Sequence, residues 1–154
     1  MAATWAASAR VPERILDIGT GTGILAIAAL KLGAARVRAI DVDPDAVAAA
    51  ARNAEINACR DRIELGLEGP EALAADAPFD LVLANLLTHT HLVMAPRYRR
   101  LVAVGGAVVL GGMLADEDAR VTEALRPAGF ALDARLVLEG WSSLLLRRPG
   151  ARRA

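Results

Sequence analysis

The sequence predicts a three-layer α/β domain on a mostly parallel sheet, and three observations carry that prediction. Short β-like runs alternate with helical runs along most of the chain, which is the pattern of stacked βαβ units. The β-like runs are nearly all apolar and lack a period of two, as in strands covered by helices on both faces. Near the C-terminus two such runs are joined at Glu139-Gly140 with no helix between them, which predicts a hairpin and one antiparallel strand. The chain has 154 residues, the size of one domain, so 1–154 is expected to form one unit with loose ends at 1–10 and 149–154.

In chain order, RILDI (14–18) reads as the first strand and GILAIAALKLG (23–33) as the helix that returns from it. RVRAID (36–41) is the second strand, and Asp43-Pro44 marks the next helix start, with the acid as cap and the proline at the first helical position. RIELGL (62–67) and FDLVLANLL (79–87) are the third and fourth strands, and a helix is expected over 89–102. A turn at Gly105-Gly106 then leads into a fifth strand, AVVLGGML (107–114), followed by a helix over 116–127. FALDARLVLEG (130–140) and WSSLLLRR (141–148) form the hairpin.

With 55% hydrophobic and 23% charged residues, the chain has the apolar surface needed to offset the entropy of ordering a core. Eighteen basic residues balance eighteen acidic ones, so no net field draws the protein to nucleic acid or an anionic membrane. Lys31 is the only lysine, and the arginine and alanine excess reads as coding bias rather than function. Cys59 is the single cysteine, so neither an internal disulfide nor a cysteine zinc cluster can form, and a cytoplasmic setting is expected. The uncharged stretch 101–115 contains four glycines and falls short of the roughly 20 residues of a spanning helix. MAATWAASA lacks the basic start and apolar length of an export signal.

The chemistry concentrates at Asp17-Ile18-Gly19-Thr20-Gly21-Thr22-Gly23, between the first strand and first helix. Ligands reach the backbone at this sheet edge. Gly19 and Gly21 are needed for a tight turn and close approach, and Gly23 for packing the helix near the strand. The spacing is G-x-G-x-G, one residue short of the dinucleotide pattern that seats a pyrophosphate on a helix N-terminus. Asp17 would repel a pyrophosphate but suits a ligand bearing an ammonium group. Asp41 ends the second strand 22 residues after Gly19, where a carboxylate can accept hydrogen bonds from both ribose hydroxyls.

The acid-led glycine loop, the ribose-type carboxylate and the terminal hairpin together resemble the class I S-adenosylmethionine-dependent methyltransferases, a Rossmann-like fold. The segments LDIGTGTGILAIAALKLGA, AIDVDPDAV, FDLVLANLL, APRYRRLVAVGGAVVLGGML and EGWSSLLLRR narrow this to the ribosomal protein L11 methyltransferase family, in its catalytic domain only. The family's phenylalanine-glycine-threonine-glycine segment upstream of the loop has no counterpart in MAATWAASARVPER.

The resemblance implies a seven-stranded sheet of order 3-2-1-4-5-7-6 with strand 7 antiparallel, and S-adenosylmethionine as cofactor. It places Asp17, Gly19, Thr20, Gly21 and Gly23 around the methionine part, and Asp41, with Val42 beside it, at the ribose. Leu67-Glu68-Gly69 would border the adenine. Asn85, at the end of the fourth strand, would be the catalytic residue, orienting a nitrogen nucleophile. The implied reaction is N-methylation of a protein or small amine. A second reading is a cofactor-binding module without activity, dependent on a separate substrate-recognition subunit. A third, a nicotinamide dehydrogenase, is opposed by the glycine spacing and by Asp17.

His89 and His91 follow Asn85. Two residues apart on a helix they diverge, so solvent-facing or capping roles are favoured over catalysis, and no metal is expected. Trp141 is read as core in preference to lining the acceptor site. Arg97, Arg99 and Arg100, and the tail arginines 147, 148, 152 and 153, are read as solvated.

Overall fold

The structure, a computed structural model, describes residues 11–75 and 78–150. The expected loose end at 1–10 and the tail arginines Arg152 and Arg153 lie outside that range.

Seven strands form one sheet: β1 (Ile15–Ile18), β2 (Val37–Asp41), β3 (Ile63–Leu67), β4 (Phe79–Asn85), β5 (Val102–Leu114), β6 (Ala131–Leu138) and β7 (Trp141–Arg147). Their order is β3-β2-β1-β4-β5-β7-β6. The first five run parallel, and β7 is antiparallel to both β5 and β6, as the hairpin predicted. Among the described residues four α-helices connect them: α1 (Ile24–Lys31), α2 (Pro44–Ile56), α3 (Thr88–Leu101) and α4 (Asp118–Leu125).

The strand pleat sorts alternate residues onto two separate cores. Leu16, Ile18, Val82, Ala84, Val108 and Leu110 pack against Met94, Ala95 and Tyr98 of α3 and Val121 and Leu125 of α4. Ile15, Val37, Leu81, Leu83 and Val109 pack on the other face with Ala26, Ala29 and Leu30 of α1 and Ala54 of α2. The near-continuous apolar runs are thus two interleaved faces, each with its own helical layer.

Several boundaries and one strand differ from expectation. Gly105-Gly106 is no turn: it lies inside β5, where five residues of β5 span what two of β4 span, from Phe79↔Val102 to Leu81↔Ala107. Gly105 takes φ +85°, and a Cβ on Gly106 would lie 2.8 Å from the Asp80 carbonyl oxygen. The chain absorbs the extra residues as an outward bulge and continues, as glycines allow. The helix expected over 89–102 lies one residue earlier, at 88–101, because Val102 begins β5, and the one expected over 116–127 is trimmed to 118–125 by the turns on either side of it. β6 is an exposed edge strand rather than a doubly buried one, because beyond β7 no described helix covers both of its faces.

Asp43 caps α2 as predicted, its Oδ1 accepting the Asp45 N–H at 2.9 Å with Pro44 at the first helical position. Gly23 differs in its partner: a Cβ there would meet Ala50 of α2 at 3.2 Å, so this glycine admits a neighbouring helix, not a strand. Asn53 Nδ2 donates to the Thr22 carbonyl at 2.8 Å and ties α2 to the same loop.

Leu110 is fully buried and Leu138 is 69% exposed. In urea melts, Leu110→Ala is expected to lower the unfolding free energy by about 2–5 kcal/mol, and Leu138→Ala by no more than about 0.5 kcal/mol. Equal losses would contradict this division of core and edge.

Candidate functional site

The carboxyl ends of β1, β2 and β4 converge where the strand order turns back between β1 and β4, the position at which open α/β sheets bind ligands. The glycine loop is pinned there by β2: the Ile40 carbonyl accepts N–H from Gly19 at 2.9 Å and from Thr20 at 3.0 Å. Asp41 Oδ2 accepts the Gly21 N–H at 2.9 Å and Oδ1 the Asp43 N–H at 3.1 Å. Each oxygen of Asp41 therefore gives one lone pair to the backbone and keeps further acceptor capacity toward the cleft. Gly19, Gly21 and Gly23 all have positive φ. A Cβ on Gly21 would meet no atom within 4 Å, so the loop presents bare backbone at its tip.

Asp17 is fully buried at the end of β1. Its Oδ2 accepts from Thr20 Oγ1 at 2.7 Å and from the Ala26 N–H at 3.2 Å, fastening the loop and the first turn of α1. Its Oδ1 is buried without a hydrogen-bond partner among the described residues. Burial raises its pKa from 3.8 to about 6, against the lowering effect of the Thr20 and Ala26 bonds and with a small addition from Asp41. A buried carboxylate oxygen without a donor is costly to the fold alone and suited to a cationic donor brought by a ligand.

Val42 and Leu67 stand exposed at the ends of β2 and β3, at 72% and 59%, and offer apolar surface on either side of the Asp41 carboxylate. Glu68 reaches the same rim through its backbone, its N–H donating to the Asp41 carbonyl at 2.9 Å. Its carboxylate is committed to Arg38 Nη2 at 2.6 Å. Asn85 closes β4 with an exposed side chain, in register with Gly111 of β5.

Sequence reasoning missed what fixes the backbone around Asn85. Between Leu110 and Met113, β5 carries one residue more than β7 opposes, and Gly112 takes φ +80°. A Cβ on Gly112 would lie 2.6 Å from the Leu86 carbonyl oxygen. Gly111 O accepts the Leu86 N–H at 3.0 Å and pairs with His91 Nε2 at 2.8 Å. His91 is therefore no solvent-facing residue but a buried one. A carbonyl can only accept, so Nε2 carries the proton and Nδ1 accepts the Tyr98 hydroxyl at 2.9 Å. Burial holds the imidazole below its ordinary 6.5, so its contribution to stability is full above that value and is lost as pH falls. The Gly-Gly pair near a strand end was the one available signal for this bulge. His89, by contrast, is exposed as expected.

Trp141 is not core. The residue is 54% exposed and lines a cleft of about 340 Å3 with Leu87, Thr88, Leu114 and Glu117, because β7 begins where β5 ends and no described helix covers that corner. Of the arginines read as solvated, Arg147 pairs with Asp133 at 2.6 Å and Arg148 Nη1 donates to the Val102 carbonyl at 2.6 Å. Among the described residues no three of His, Cys, Asp and Glu form a metal-ligand group, and no helix is long and apolar enough to cross a membrane.

The ribosomal protein L11 methyltransferase (PrmA) family matches residues 5–149. A ribosomal protein L11 methyltransferase of Bacillus cereus (strain B4264) is 39% identical over 139 residues, 88% of this chain but 43% of the relative. The chain thus spans less than half the length of the curated relatives it matches. The crystal structure of a ribosomal protein L11 methylase from Lactobacillus delbrueckii subsp. bulgaricus superposes with TM-score 0.85 at 32% identity, covering 96% of this chain and 77% of that one. An RNA methyltransferase from Salinibacter ruber, solved in complex with S-adenosyl-L-homocysteine, gives 0.69 at 25%, covering 89% and 81%.

Because Asp17 is protonated more readily folded than unfolded, ligand-free stability should fall as pH rises from 3.8 to about 6. The loss should be about 3 kcal/mol at 1.36 kcal/mol per unit. Asp17→Asn should remove this dependence and be the more stable protein at pH 7. Denaturant midpoints of both proteins across that range measure it, and parallel profiles would refute the assignment.

Proposed function

The chain belongs to the ribosomal protein L11 methyltransferase family, and from that membership and the cleft geometry we propose that it is an S-adenosylmethionine-dependent methyltransferase acting on a nitrogen. One observation carries the reading above all: the buried Asp17 Oδ1 without a donor, at the mouth of a glycine loop. The cofactor's amino-acid end bears the ammonium that this oxygen lacks. Asp17 and the loop residues Gly19, Thr20, Gly21 and Gly23 hold that end, and the two Asp41 oxygens accept from the ribose hydroxyls. Val42 and Leu67 flank the adenine, with the Glu68 backbone at its edge. In this reading 1–154 is one methyltransferase domain.

The cofactor supplies an already electrophilic methyl group and its own leaving group, so the side chains need only position the acceptor. Asn85 is suited to the positioning. Its amide oxygen can accept from the acceptor N–H and turn the lone pair toward the methyl group. Its place is fixed because Leu86 and His91 both bond to Gly111. The proton leaves the acceptor before transfer, to water at the open cleft.

The acceptor is a protein nitrogen or a small amine. The similarity to ribosomal protein L11 methyltransferases supports ribosomal protein L11 as the protein candidate, with recognition by a separate subunit or by a further part of the molecule. A cytoplasmic setting fits that acceptor and the lone, buried Cys59.

Titration calorimetry should show binding of S-adenosylhomocysteine and none of NAD. Asp41→Ala should weaken the former about 10- to 100-fold, as expected for two lost hydrogen bonds. Affinity should also fall below pH 6, by up to tenfold per unit, because Asp17 must lose a proton to receive the ammonium. Full retention of affinity in Asp41→Ala would overturn the ribose assignment.

With labelled S-adenosylmethionine and fractionated lysate, Asn85→Ala should cut turnover more than tenfold while changing S-adenosylhomocysteine affinity less than threefold. Tight binding with no transfer to any acceptor would instead favour a binding module.

A further inference from the structure

The cleft that opens at Leu87, two residues after Asn85, contains an acid that the transfer step does not need. Glu117 stands at the N-cap of α4, where its negative charge is compatible with the helix N-terminus, but its side chain makes no capping bond. Its Oε2 reaches across the cleft to accept the hydroxyl of Thr88 at the start of α3. Thr88 is buried and Glu117 half-buried. The hydroxyl fixes the carboxylate but uses one lone pair, and an ionised carboxylate has about four acceptor sites.

The other walls are Leu87, Leu92, Gly112, Leu114 and Trp141, with the exposed His89 and Arg120 also lining the cleft. A fixed carboxylate at one point, aliphatic walls and an exposed indole match the two ends of an alkylammonium: a hydrocarbon stem and a charged head. The volume, about 340 Å3, is at the small end of ligand sites and fits a slender side chain or small amine.

We propose that Glu117, oriented by Thr88, selects the acceptor by its positive charge and guides a primary alkylammonium stem between Leu114 and Trp141 toward Asn85. This rests on the methyltransferase reading and adds the charge filter to it. Glu117 is a specificity residue: it does not touch the transferred methyl group. Arg120 works against it and limits how tightly a cation is held.

The test uses the whole chain saturated with S-adenosylhomocysteine, whose own binding is read by calorimetry. Failure of that binding refutes the methyltransferase reading and leaves the charge filter to be judged on the second readout. That readout is the indole N–H resonance of Trp141 in a Trp5→Phe background, titrated with n-pentylammonium chloride, sodium pentanoate or pentanol. Saturable shifts are expected with the ammonium alone. Glu117→Gln, which keeps an oxygen for Thr88, should weaken the ammonium at least fivefold, and Arg120→Ala should tighten it two- to threefold. Both should leave the S-adenosylhomocysteine affinity and the melting temperature unchanged. Equal response to pentanoate, no saturable response to the ammonium, or unchanged affinity in Glu117→Gln would overturn the proposal.

Discussion

Asp17 divides its two oxygens between the fold and the cleft. Oδ2 gathers Thr20 and the Ala26 N–H, which sets the path of the glycine loop and the start of α1. Oδ1 is left buried without a donor. The fold therefore holds a carboxylate whose ionisation is disfavoured by burial, at the point where the sheet edge opens. Such a group lowers the stability of the free protein, and functional sites tolerate that because the missing donor arrives with a ligand. The loop pinned to Ile40 and Asp41 depends on this arrangement, because without the Asp17 bonds the glycines would have many other conformations to adopt.

The opposite side of the cleft is organised by a different device, a bulge. Gly112, in a backbone conformation that disfavours a side chain, lets β5 approach Leu86 so closely that a Cβ would collide with its carbonyl. Gly111 then becomes a shared acceptor for Leu86 and His91, and Tyr98 completes the network from within α3. The residue after Asn85 is thus held by backbone and buried imidazole together, so an exposed amide sits on a fixed base. Pre-organisation of that kind is what the proposed transfer would require of the protein.

The two walls join through the hairpin. Asp118, buried at the start of α4, accepts from Arg135 Nε at 2.6 Å and from Ser142 Oγ at 2.5 Å. These bonds fasten α4 to β6 and β7 and put Glu117 and Trp141 on the same cleft. An edge strand as exposed as β6 keeps its place in this way, through its ladder to β7 and a charge-assisted bond instead of a second layer.

The strand and helix order, the antiparallel hairpin, the glycine loop and the acids at 17, 41 and 43 were legible in the sequence, because each is a local statement. Apolar runs, turn residues and capping acids act within a few positions of themselves. What lay beyond sequence reading depended on partners far along the chain. The Gly105-Gly106 bulge exists because β4 and β5 differ in length across a shared ladder, which a single segment cannot reveal. His91 became a core residue because Gly111 and Tyr98 supply an acceptor and a donor on either side of it. Trp141 left the core because nothing in the described layers reaches that corner.

The linear order of residues thus determined the succession of strands and helices and which hydrogen-bonding groups stand at their ends, since hydrogen-bonding capacity and periodicity belong to the residues themselves. Tertiary structure alone decided which of those groups meet, which are buried and which carboxylate oxygen is left without a donor, because burial and pairing are properties of neighbours brought together only when the sheet assembles.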